Sequence, residues 1–257
     1  VYCRSSREEW AAKLLHGDDV VSTRGVADEA KERRKVVRKI AKKAALNFSA
    51  QHNLFDPNAV QPVVLIGAGA VGSHVGVALS KLGVKKLKVI DRDSVESHNA
   101  SMSAYRPCDL ARPKVEALRE IVAQCSGVTI EACARNYSGE SLCGSVVCCV
   151  DTMEARKLVW KNVKMQAGVD ILIDTRVAEK LVWVFAVDPK DPDDIAYYER
   201  HLAYGSKEAA HPMCGKHGII TVSMIAAARA CDLLTTWWAT GRKERHHKEL
   251  VGCSDPL

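Results

Sequence analysis

The chain of 257 residues carries a formal net charge of +6, with 47% hydrophobic and 26% charged residues. This is an ordinary globular composition, long enough for one large α/β domain, and no run approaches the roughly 20 apolar residues that span a bilayer. The ten cysteines are scattered without a C-x-x-C pair. They argue for free or buried thiols in a reducing cytoplasm, and against a disulfide framework or a structural zinc site.

Residues 1–61 show no strand pattern and read as a helical, basic N-terminal extension. Within it, Asp28 to Gln51 reads as one helix, acidic at its start, with Val36, Val37, Ile40, Ala41 and Ala44 as its apolar stripe. Lys31 to Lys43 holds Arg33, Arg34, Arg38 and five lysines. A solvated basic face is the plainer reading of that run; a nucleic-acid contact, or an arginine reaching a nucleotide phosphate, is the alternative. Asp56-Pro57-Asn58 and Pro62 then break the chain ahead of a domain over 62–257.

From Val63 the pattern changes to short apolar runs separated by helical stretches. Strands are predicted at 63–67, 86–91, 128–134, 145–151, 170–176 and 180–188, and helices at 70–82, 112–125, 153–166 and 218–240. Alternation of this kind gives a Rossmann-like α/β fold, a mostly parallel sheet with helices on both faces. The last two strands are joined by only a few residues around Ala178-Glu179, so they form an antiparallel hairpin and the sheet is mixed.

The first strand, Val63-Val64-Leu65-Ile66, runs into Gly67-x-Gly69-x-x-Gly72 and a helix. Glycines let the backbone turn tightly and approach a phosphate, and the helix start offers amides with the positive dipole end behind them. Asp91 ends the next apolar run, nineteen residues beyond Gly72. A ribose-binding carboxylate sits at that distance in a nucleotide-binding βαβ unit. Further polar residues gather nearby: Asp93, Asn99, Lys114 at a helix start, Asp151 at a strand end, and Arg156 a turn later. A carboxylate at a strand end suits magnesium beside a triphosphate, lysine a phosphate, and an asparagine amide phosphate or ribose oxygens. The set fits ATP chemistry better than hydride transfer.

Gly67-x-Gly69-x-x-Gly72, Asp91-x-Asp93-x-Val95, Asn99, Arg112-Pro113-Lys114 and Asp151-x-x-x-x-Arg156 resemble the ThiF/MoeB/HesA superfamily, which has the fold of the ubiquitin-activating enzymes. Asp174-Thr175-Arg176, the Tyr198 region and Cys214-Gly215-Lys216-His217-Gly218 before a long small-residue helix are similar to it as well. The resemblance covers about residues 60–240. It implies a homodimeric adenylyltransferase that uses ATP and Mg2+ to activate the C-terminal glycine of a small ubiquitin-like or sulfur-carrier protein. By the same resemblance Asp91 binds ribose, Asn99 and Lys114 contact the nucleotide and its phosphates, and Asp151 carries magnesium.

The chain departs from that pattern in two places. The family's Asn-x-x-Arg-Gln segment is here Asn99-Ala100-Ser101-Met102-Ser103, so an uncharged Met102 stands at the phosphate-binding arginine. Arg106, or an arginine of the basic extension, is the candidate substitute. Paired C-x-x-C zinc motifs are also missing. Cys214, flanked by His211 and His217, is placed like the thioester-forming cysteine of some members; a buried, inert thiol is the competing reading. His246-His247 sits in a charged stretch, Arg242 to Lys248, that reads as a solvated tail. Trp237-Trp238 is either core or dimer contact. Three rival functions stay open. One is a catalytically degenerate subunit that binds a ubiquitin-like protein, for which Met102 speaks. Another is an NAD-dependent oxidoreductase, in which Asp93, Lys114 and Asp151 have no task. The third is adenylation of a small molecule or an RNA-borne carboxylate.

Overall fold

The computed structural model describes residues 46–51, 54–203 and 219–251. Most of the expected 28–51 helix, and Cys214 with both flanking histidines, lie outside these residues. Of that helix, the described residues 46–51 are coil followed by a short 3-10 turn at Ser49–Gln51.

Among the described residues seven strands form one sheet: β1 Val63–Ile66, β2 Leu87–Ile90, β3 Glu131–Cys133, β4 Gly144–Cys148, β5 Val169–Ala178, β6 Leu181–Val187 and β7 His246–Leu250. Their order is β3-β2-β1-β4-β5-β6-β7, parallel from β3 to β5 and antiparallel from β5 to β7. Side chains alternate across a strand, so a fully covered sheet needs apolar residues at every position of its central strands. Val63, Leu65, Val89 and Val147 accordingly enter one core, and Val64, Ile66, Ile90 and Val146 the other. Helices α1 (Ala70–Lys81), α3 (Lys114–Ser126) and α6 (Ile220–Thr240) bring Leu79, Leu118 and Leu234 to the first core. Helices α4 (Met153–Val163) and α5 (Pro192–Arg200) bring Trp160 and Tyr198 to the second. Between α1 and α3 in sequence, α2 (Ser97–Ala100) is a single turn.

The predicted hairpin is present, with β5 and β6 joined by Glu179 and Lys180. The tail reading of 242–248 is overturned, because His246–Leu250 pairs with β6 as the edge strand β7. Its polar composition hid it, yet charged residues are what an edge strand uses against further pairing. The approach to it is fixed by Asp194, which is 2% exposed and receives Lys243 and, at 3.0 Å, the Arg245 Nε. His246 is exposed but not without partners: its Nδ1 lies 2.7 Å from the Tyr197 hydroxyl and its ring stacks on Tyr197. Trp237 and Trp238 pack against the first core of their own chain, and the Trp238 indole donates to Ser145 Oγ at 3.0 Å. The described cysteines are free, and the described residues contain no cluster of three or more metal-ligating side chains. No described helix is long and apolar enough to cross a membrane.

Candidate nucleotide site

A cavity of about 660 Å³ opens where β1, β2 and β4 end, bordered by the β1–α1 turn, the segment after β2 and the start of α4. In open parallel sheets ligands bind outside the carboxyl ends of the strands, and the cavity occupies that place.

The three glycines of the β1–α1 turn do different work. Gly67 has φ +92°, and a side chain there would put Cβ 2.5 Å from the Cys149 carbonyl oxygen. A Cβ on Gly72 would stand 2.0 Å from the Gly67 oxygen, so this glycine lets α1 close against the turn; it does not border the cavity. Gly69 does border it, and a Cβ there would meet no atom within 4 Å. A side chain at Gly69 would therefore fill ligand space. No side chain caps α1, and helix geometry leaves the amides of Ala70, Val71 and Gly72 without a carbonyl one turn back. The turn is a cradle for an anion built from unspent backbone donors.

Asp91 is held by two amides, from Ala68 to Oδ2 at 2.6 Å and from Asp93 to Oδ1 at 2.8 Å. Burial raises its pKa above the ordinary aspartate value, outweighing the opposing pull of Lys114 and of the two amides. Asp93 shifts the other way. Burial alone would raise it, but the hydrogen bond and charge of Lys114 prevail and lower it. The Lys114 ammonium, on a residue 7% exposed, lies 2.9 Å from Asp93 Oδ2, and the Lys114 amide donates to the Asp93 carbonyl at 2.8 Å. Asp93 thus aims a buried lysine along the cavity wall.

Asn99 borders the cavity from α2, its side-chain oxygen accepting the Glu96 amide at 3.1 Å. Met102 borders it one turn later. Arg106, the candidate replacement for the missing arginine, is placed elsewhere. Its guanidinium is spent on Asp109, Glu120 and Gln124 at 2.6–3.0 Å and does not reach the cavity. Asp151 is exposed on the cavity wall just beyond β4.

Arg156, part of the same sequence motif as Asp151, is fully buried and does not border the cavity. It joins Asp174, which also accepts Arg176 Nε at 2.8 Å and the Tyr198 hydroxyl at 2.9 Å. Tyr105 supports the site without bordering the cavity, and sequence reasoning missed it. Its buried hydroxyl lies 2.7 Å from the Ala68 carbonyl and 3.2 Å from that of Lys114, tying the glycine turn to the start of α3. No local signal marks such a bond across 37 positions of chain. Arg135, Asn136 and Tyr137, just beyond β3, also border the cavity, and the rule that ligands sit at strand ends points to them.

Fold and cavity together define a Rossmann-like α/β domain whose glycine turn opens onto a cavity at the strand ends. The sequence matches the ThiF family over residues 49–254, and the chain belongs to that family. Among curated relatives, ubiquitin-like modifier-activating enzyme 5 of Caenorhabditis briggsae is 33% identical over 115 residues, 38% of this chain and 27% of that protein. The match therefore spans about a quarter of that relative's length. Among solved structures, E. coli MccB with AMPCPP and MccA superposes with a TM-score of 0.58 at 15% identity, covering 78% of this chain and 66% of that one. PaaA gives 0.57 at 17% identity, covering 95% and 81%. At such identities the structural likeness shows the shared fold.

Proposed function

We propose that this chain uses ATP and magnesium to adenylate the C-terminal glycine of a small ubiquitin-like or sulfur-carrier protein. The observation that carries the reading is convergence: the open glycine turn, Asp91, the Asp93–Lys114 pair, Asn99 and Asp151 all border one cavity. A carboxylate oxygen of the partner attacks the α-phosphorus of ATP, the bond to the β-phosphate breaks, and pyrophosphate leaves. Both reactants are anions, so the protein's task is to neutralise charge and to align the attack. In this reading the turn amides and Lys114 receive phosphate oxygens, Asp91 orients the ribose, and Asn99 bonds the nucleotide. Asp151 would hold magnesium, which shields the phosphates when bound; one protein carboxylate with the rest of the shell from phosphates and water is ordinary for that ion.

The homodimer, the basic extension over 1–61 and transfer of the activated acyl group to Cys214 belong to the same proposal. A reducible protein-sized adduct lost in Cys214→Ala supports the last step, and its persistence rules that step out.

One observation favours the degenerate-scaffold reading. Asp91, Asp93, Glu96, Asp151, Glu154 and Glu179 face the cavity with Arg92, His98, Lys114 and Arg135 as the described basic residues, and Met102 adds no charge. ATP–pyrophosphate exchange with small proteins ending in glycine decides between the two. Exchange that requires both the partner and Asp151, tested with Asp151→Ala, supports adenylation. Nucleotide binding without exchange supports the scaffold.

A further inference from the structure

We propose that Arg156 is a positioning residue that presents Asp151 to the cavity, with Asp174 as its anchor; this rests on the reading of Asp151 as the magnesium ligand. Arg156 lies behind the turn that connects β4 to α4. Its Nε donates to Asp174 Oδ1 at 2.6 Å. One terminal nitrogen donates to the carbonyls of Val150 at 2.7 Å and Thr175 at 3.0 Å, the other to the Thr152 carbonyl at 3.4 Å and the Met153 sulfur at 3.7 Å. Five donors meet five acceptors, which is the full capacity of a guanidinium.

Two of those acceptors bracket Asp151 in sequence. With Val150 and Thr152 both drawn onto one buried, planar group, the backbone on either side of Asp151 is fixed from beneath. All peptides of the described chain are trans. A Val150 carbonyl turned to Arg156 therefore turns the Asp151 amide away from it. The Thr152 hydroxyl reinforces the turn by accepting the Ala155 amide at 3.3 Å as the N-cap of α4. The far side of the guanidinium is anchored to β5 through Asp174, which is 0% exposed and is itself held by Arg176 and Tyr198. Asp151 thus stands exposed on a turn whose flanking carbonyls, of Val150 and Thr152, are bonded to a buried guanidinium that is itself tied to the next strand. Lysine has three donors and no fork, so it cannot reproduce the brace.

The test compares wild type, Arg156→Lys, Asp151→Asn and the double variant. Far-UV circular dichroism checks the fold, and calorimetric titration of magnesium into protein saturated with a non-hydrolysable ATP analogue gives the metal affinity. Removal of a group that orients a metal ligand weakens metal binding by about 10-fold or more. Arg156→Lys is expected to show that loss when Asp151 is present and less than about a twofold change in the Asp151→Asn background, where nothing remains to be positioned. Equal losses in both backgrounds would overturn the positioning role and leave Arg156 as a general brace. Unchanged affinity in Asp151→Asn would overturn the magnesium reading itself, and the proposal with it. If Arg156→Lys does not fold, Asp174→Asn loosens the same anchor and is held to the same two expectations.

Discussion

Two neighbouring turns at the carboxyl end of the sheet are built on opposite principles. The β1–α1 turn leaves the first amides of α1 unspent: the helix has no side-chain cap, and the space over Gly69 is empty of protein atoms. The β4–α4 turn is tied down, with the Val150 and Thr152 carbonyls bonded to a guanidinium that has no capacity left. The difference teaches how one cavity combines two needs. A surface that receives an anion needs free amides, whereas a surface that presents a single carboxylate needs the backbone around it tied down.

The closed turn is the place to break this contrast most severely. Asp174→Ala leaves Arg156 and Arg176 buried without their carboxylate, a kind of loss that costs about 3–5 kcal/mol. Urea denaturation checks it, and a loss under about 1 kcal/mol would mean that the arginines need no counter-charge here. The open turn separates stability from binding. Gly72→Ala drives a methyl into the Gly67 carbonyl and is expected to cost about 3 kcal/mol, because backbone cannot yield as a side chain can. Gly69→Ala meets nothing and should change stability by about 1 kcal/mol or less while weakening nucleotide binding about tenfold or more. Denaturation and nucleotide titration of the two variants sharpen the contrast; equal effects of both on stability would erase it.

The smallest expected effects concern pH, and they have opposite signs. Asp93 has a lowered folded pKa, so its contribution to stability is present above the ordinary value of 3.8 and is lost as pH falls through the folded value. Asp91 has a raised folded pKa, so its ionised form costs stability, and acidification through that value relieves the cost. Relative to its asparagine variant, the wild type should lose ground on acidification at Asp93 and gain it at Asp91. The Asp93 effect is the weaker, since half of its side chain is exposed and water screens the pair with Lys114. Stability measured from about pH 3 to 6 in the two variants checks both signs.

Sequence alone determined the parts of this protein that are written in local chemistry. Unbroken apolar runs fixed the central strands because a sheet covered on both faces has no polar side. The glycine spacing and the acid after the second strand marked the cradle and Asp91, because both depend on backbone conformation a few residues away. The same periodicity missed β7, whose charged residues become a strand only because β6 leaves an edge to pair with. Side-chain partnerships were decided only by the tertiary structure. Tyr105 beneath the glycine turn, Arg106 diverted to Asp109, and Arg156 closed onto Asp174 join residues far apart in the chain or depend on which of several nearby groups packing leaves within reach. Hydrogen bonds act over about 3 Å, so their partners are set by how the elements pack.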